Sequence, residues 1–138
     1  MNIQHTRMNR VPRKRRGFMS MELVLVLPIL GIMVLGMIEF AMLFYARSSV
    51  VEACRVGARA ATLQGADLQL VQQEISKVLS PDLQQDMQVN WTPGVRTGDT
   101  IMVSVSVPMT SASPDLLWPI GYSLSDKNLY SETRMLKE

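Results

Sequence analysis

Residues 13–45 read RKRRGFMSMELVLVLPILGIMVLGMIEFAMLFY, and this stretch decides the fold. Every residue from Leu23 to Ile38 is apolar, Gly or Pro. That run rises about 24 Å as a helix, short of the roughly 20 residues a ~30 Å hydrocarbon core requires. It continues past Glu39 through Phe40, Ala41, Met42, Leu43 and Phe44 to Tyr45. Leu23 to Tyr45 is long enough to span a bilayer with some tilt. Glu39 then lies within two turns of the far interface, where an acid reaches water or a partner at lower cost than at the centre. Phe44 and Tyr45 suit an interfacial aromatic position.

Two other readings of the run fare worse. A soluble core helix needs a polar face, and this segment has almost none. A cleaved secretory signal has a shorter apolar region ending at a small-residue site, whereas here Arg47 follows with no such pattern.

Working outward towards the N-terminus, residues 1–17 contain Arg7, Arg10, Arg13, Lys14, Arg15 and Arg16 and no acid; the first acidic residue is Glu22. The formal net charge of +2 therefore belongs to this leader, and the rest of the chain is acidic on balance. Basic residues clustered before the span and thinning after it place the N-terminus in the cytoplasm and the C-terminal part on the far side. A basic patch of this kind could also serve nucleic acid, but its junction with a membrane span already accounts for it, and no nucleic-acid partner is expected. The single His is His5, in the leader, and the single Cys is Cys54. An intramolecular disulfide is excluded, and no metal site or cofactor is expected.

Working outward towards the C-terminus, the helix is predicted to continue to about Gln64. Val50, Cys54, Gly57 and Ala61 share one small, apolar face, and Ser48, Glu52, Arg55 and Arg59 share the opposite, solvated one. Cys54 reads as a buried packing residue. Gly65 stops the helix, and Asp67 caps a second one over Leu68–Leu79, whose stripe is Leu68, Val71, Ile75, Val78 and Leu79. Ser80–Pro81 ends it. Strands are predicted over Gln88–Thr92, Thr100–Val107 and Leu129–Leu136, with a turn at PGVRTGD and a loop over Pro108–Pro119. Trp118, beside Pro119, reads either as an exposed contact residue or as core, and the core is favoured. The fold class is α+β: a long N-terminal helix that crosses the membrane and continues outside, a second helix, and a small antiparallel sheet. Three parts follow: a leader (1–17), the helix with its amphipathic extension (18–64) and a small extracytoplasmic domain (65–138). The last is small enough that its core should lean on the long helix or a partner.

The junction itself carries the functional reading. A Gly closes the basic run, four residues intervene, and Glu22 stands alone before the apolar helix. This resembles the processing signal of type IV prepilins and pseudopilins, which a membrane peptidase cuts after the Gly. The resemblance implies a cut between Gly17 and Phe18, a new amine on Phe18, and Glu22 kept near the helix start. A buried carboxylate needs a partner, and the Phe18 amine of a neighbouring subunit would be one, fixing the register between stacked helices. Stabilisation of Glu22 by the helix macrodipole is the plainer alternative. Pro28 removes a helix hydrogen bond; a kink or melted stretch there and a neutral membrane proline are both open readings.

Further along, the match narrows. Glu22, the LVLP ending at Pro28, Glu39–Phe40, Tyr45–Ala46–Arg47 and the segment Ala53–Ala61 with its Gly57–Ala58–Arg59–Ala60–Ala61 together look like the N-terminal signature of the TadE-like family. These are minor pilins or pseudopilins of tight-adherence (Flp, type IVc) pilus systems. The resemblance implies a bacterial inner-membrane protein with a periplasmic C-terminal domain, able to enter a surface pilus. Its implied partners are a prepilin peptidase, other pilin or pseudopilin subunits, pilus assembly proteins and inner-membrane lipid, with adhesion and biofilm formation as the wider setting. An uncleaved single-span scaffold of a pilus or secretion machine is the alternative. An enzyme is not expected: past the leader there is no His, the acids form no paired motif, and only a Ser–Lys pair assembled in space would serve.

Overall fold

The structure, a computed structural model, describes residues 17–137, with side chains described from Ser20 to Lys137. The basic leader up to Arg16 and the side chain of Phe18 lie outside the described residues. Helix α1 runs over Gly17–Ala61, about 68 Å at the usual rise. It is helical through Pro28, with no melted stretch there. Up to Leu35 its described side chains are exposed all round, among them Val24, Leu27, Leu30 and Met33. One long apolar helix near the N-terminus, bare of cover by the rest of the chain, fits a single-span membrane protein.

Beyond Leu35 the helix acquires a covered face. Glu39, Leu43, Ala46, Val50, Ala53 and Cys54 are buried, while Phe40, Phe44, Tyr45 and Arg47 on the other side are exposed. The spacing of three and four puts the first set in one stripe. The expected span to Tyr45 is thus divided: bare on all sides to Leu35, and from Gly36 clad on one side by the chain's own C-terminal part. The two predicted faces of the outer half are both present, with Val50, Cys54, Gly57 and Ala61 buried and Ser48, Glu52, Arg55 and Arg59 exposed. The helix ends at Ala61 rather than near Gln64, because Thr62 and Leu63 close tighter turns onto Arg59 and Ala60. Gly65, at φ +78°, then supplies the left-handed residue that turns the chain back.

Helix α2, Leu68–Val78, begins at Asp67, whose Oδ1 accepts from the Leu70 backbone N–H at 2.8 Å. It buries Val71 and Ile75 against α1, and the approach is close because residue 57 is Gly. A Cβ on Gly57 would stand 2.6 Å from Ile75 Cγ1. Ser80–Pro81 does end α2, but Pro81 also opens a four-residue helix, α3, Pro81–Gln84. Proline's fixed φ and missing N–H suit it to that first position. Gln84 Nε2 then donates to the carbonyls of Ser76 and Leu79 at the end of α2.

Strands β1 (Gln88–Thr92), β2 (Thr100–Pro108) and β3 (Asn128–Leu136) form one antiparallel sheet in the order β1-β2-β3. Val89 lies opposite Val105, and Val105 opposite Ser131. The β1–β2 turn is held by Asp99, whose Oδ2 accepts from the N–H groups of Val95 and Arg96. Alternation puts Ile101, Val103, Val105, Val107 and Leu129 into the core with the outer half of α1 and with Val71, Ile75 and Leu79. The architecture is α+β, with the sheet and α2 both packed on α1. Six residues of that core, Ala46, Val50, Ala53, Cys54, Ala58 and Ala61, belong to α1. The small C-terminal part therefore leans on the long helix, as its size required. The Cys54 thiol is buried and donates to the Val103 carbonyl at 3.2 Å.

Candidate functional site

Two acids on α1 organise the site, and the structure treats them oppositely. Glu22 lies one turn into the helix with an exposed side chain. Among the described residues no cation stands within ion-pair distance of it. Gly17 is the first described residue, and α1 is helical from there onward. The helix presents an exposed Glu22 on a largely apolar surface.

Glu39, 17 positions further along, is fully buried. It is covered by the segment between β2 and β3. Its Oε1 accepts from the Leu116 N–H at 3.1 Å and from Ser113 Oγ at 3.4 Å, and its Oε2 accepts from the Leu117 N–H at 3.1 Å. A carboxylate with two successive backbone amides, one on each oxygen, is clamped in place. Three of its roughly four acceptor positions are occupied, so the desolvation cost of burying it is offset by donors rather than by a cation.

The segment that reaches Glu39 is built to hold its shape. The Met109 N–H donates to the Lys127 carbonyl, closing its base. Met109–Ser111 and Trp118–Ile120 form single 3-10 turns. Asp115, at φ 55°, accepts through Oδ1 from the Leu124 N–H and through Oδ2 from Ser123 Oγ, tying the two limbs together. Leu117 and Leu124 are buried. Leu117 lies over Gly36, where a Cβ would meet its Cδ1 at 3.8 Å, and the Tyr122 ring faces Phe40 at 6.2 Å between centroids. The loop thus follows α1 back towards its N-terminus as far as Gly36.

Glu39 was singled out in the sequence as a membrane acid, but its partner lies 74 to 78 positions away. No local pattern signals such a contact; the sequence pointed only to a loop over Pro108–Pro119. Trp118 corrects an expectation. It is 68% exposed rather than in the core, because Leu117 and Leu124 occupy the inner side of the loop and Pro119 and Gly121 turn the chain outward. Among the described residues no group of His, Cys, Asp or Glu has a metal-binding arrangement.

These features define a long apolar helix, of the length and composition to cross a membrane, that carries a compact α+β head. Residues 17–59 match the model of the TadE-like protein family, the same family read from the sequence, and all of them lie on α1. That family is one of pilus structural or assembly components, and the match covers about a third of the chain. No curated protein and no solved structure significantly matches the chain.

Proposed function

We propose that this protein is a minor pilin or pseudopilin of the TadE-like type, processed between Gly17 and Phe18 and used in assembling a tight-adherence pilus. The observation that carries the proposal is the pairing of the family match with an exposed Glu22 near the start of a bare apolar helix. In this reading a prepilin peptidase removes the leader on the cytoplasmic side. The protein remains in a bacterial inner membrane with its head in the periplasm, among other pilin subunits and assembly proteins. Glu22 meets the Phe18 amine of a neighbouring subunit. An unpaired charge in an apolar bundle is disfavoured, so this pairing would set axial register.

Intact-mass measurement of the membrane form from cells with an active prepilin peptidase tests the processing step. A chain starting at Phe18 supports it, and Gly17→Ala should then accumulate precursor. A chain still starting at Met1 in those cells would instead favour an uncleaved scaffold. Mechanical shearing of the cell surface separates a filament subunit, which is released, from a scaffold, which stays in the membrane.

A further inference from the structure

Between β2 and β3 the chain carries the uncharged run Leu116-Leu117-Trp118-Pro119-Ile120-Gly121-Tyr122. Trp118 is 68% exposed and Ile120 54% exposed. We propose that this turn is a second membrane contact: it seats Trp118 and Ile120 in the outer interface of the same bilayer that α1 crosses. The proposal rests on the single-span reading and goes beyond it.

The turn's level along α1 is the first support. Its contacts with the helix are at Gly36, Glu39 and Phe40. Counting from Leu23, where the apolar run begins, the helix rises about 30 Å by Leu43, the thickness of a hydrocarbon core. The turn's contacts at Gly36 to Phe40 therefore lie within about two turns of the span's outer boundary, and the turn is held beside the outer edge of the lipid.

Backbone accounting is the second and independent support. A segment entering a low-dielectric region must satisfy its polar groups internally. From residue 116 to 122 every backbone N–H has an acceptor within the protein, and the carbonyls of Leu117 and Trp118 also accept from within it, while those of Leu116, Pro119, Ile120, Gly121 and Tyr122 are left to the water of the interface. Leu116 and Leu117 donate to Glu39. Trp118 donates to Asp115 O, Ile120 to Leu117 O, Gly121 to Trp118 O and Tyr122 to Leu117 O. Residue 119 is a proline and has no N–H to satisfy. Glu39 takes the place of water as the acceptor for the Leu116 and Leu117 amides, so these two groups carry no desolvation cost at a membrane surface.

Side-chain chemistry agrees. Trp and Tyr are the residues enriched at membrane–water interfaces. Asp115, the nearest acid, directs its carboxylate at Leu124 and Ser123 of its own loop. The Lys127 ammonium lies 4.0 Å from the Tyr122 ring centroid, where it is also placed to meet lipid phosphate.

The test uses the full chain in phosphatidylcholine–phosphatidylglycerol vesicles. Trp91→Phe leaves Trp118 as the sole tryptophan. Lipids brominated near the headgroup should quench its emission strongly, and those brominated near the bilayer centre only weakly. In parallel, Leu30→Trp in a chain with Trp91→Phe and Trp118→Phe reports the span itself and should be quenched most by the deep label. If Leu30→Trp is quenched but Trp118 is untouched by either lipid and open to aqueous iodide, the interfacial turn is overturned while the span stands. If Trp118 becomes shielded only when other pilus subunits are reconstituted alongside, the turn is a protein contact and the proposal is equally overturned. If neither tryptophan is quenched, the span reading and the proposal fall together. Glu39→Gln should weaken the shallow quenching of Trp118 without changing that of Leu30→Trp.

Discussion

Glu39 shows how much one residue can organise. Its carboxylate occupies the single place on α1 where the bare helix gives way to a covered one, and it accepts the amides of Leu116 and Leu117. Replacing a carboxylate oxygen by an amide nitrogen turns one acceptor into a donor. Glu39→Gln therefore confronts one of the two N–H groups with another donor, and an unsatisfied buried group costs about 1–3 kcal/mol. The expected outcome is faster hydrogen exchange at Leu116 and Leu117 with the core strands unchanged, read by exchange mass spectrometry or NMR. On the solvent face of β3, Tyr130 Oη donates to Glu132 Oε2 at 2.8 Å and Arg134 Nε donates to Glu132 Oε1. The Tyr130 hydroxyl, and after it Arg134, hold the Glu132 carboxyl below its ordinary value of 4.5. A depressed carboxylate contributes stability above its unfolded value and loses it as pH falls through the folded value. An NMR titration should place Glu132 below 4.5, and Tyr130→Phe should move it upward; no movement would remove the hydroxyl as the cause.

At the scale of elements, the outer half of α1 is a platform whose texture is set by small side chains. Ala46, Ala53, Cys54, Ala58 and Ala61 are all buried, and Gly57 lets Ile75 of α2 come within a distance that forbids a Cβ. Gly57→Ala should destabilise the head by about 1–3 kcal/mol, the usual cost of overpacking. Chemical unfolding of the detergent-solubilised protein measures it. Gly31→Ala, with nothing within 4 Å of its Cβ position, is the matched control and should show no such loss. The positions of these elements were largely legible beforehand, because strict alternation over Ile101–Val107 and the three-and-four spacing over Val50–Ala61 each admit one period. The short helix at Pro81 was missed: four residues are too few to show a period, and Pro after Ser reads equally as an end and as a beginning.

At the scale of the molecule, the C-terminal part is not separable from the helix on which it lies. A fragment beginning at Gly65 would lack the six α1 residues of the core. It should fail to give a cooperative thermal transition by circular dichroism. A fragment beginning at Glu39 retains both the core and the acceptor of the 113–117 loop, and should unfold cooperatively. If both behave alike, α1 is not the structural centre described above. The same dependence joins the long helix to the head with no loop between them, since the outer half of α1 is itself part of the core.

The sequence by itself determined the basic leader, the apolar helix, the junction at Gly17 and Glu22, and the order of helices and strands. These depend on composition and on periods of two and 3.6, which are local and therefore readable along the chain. Only the tertiary structure decided what Glu39 is for, which side of the helix the head covers, and that Trp118 faces outward. Those outcomes depend on which donors and side chains meet across more than 70 positions. A buried carboxylate requires partners, but its own neighbours in sequence say nothing about where those partners come from.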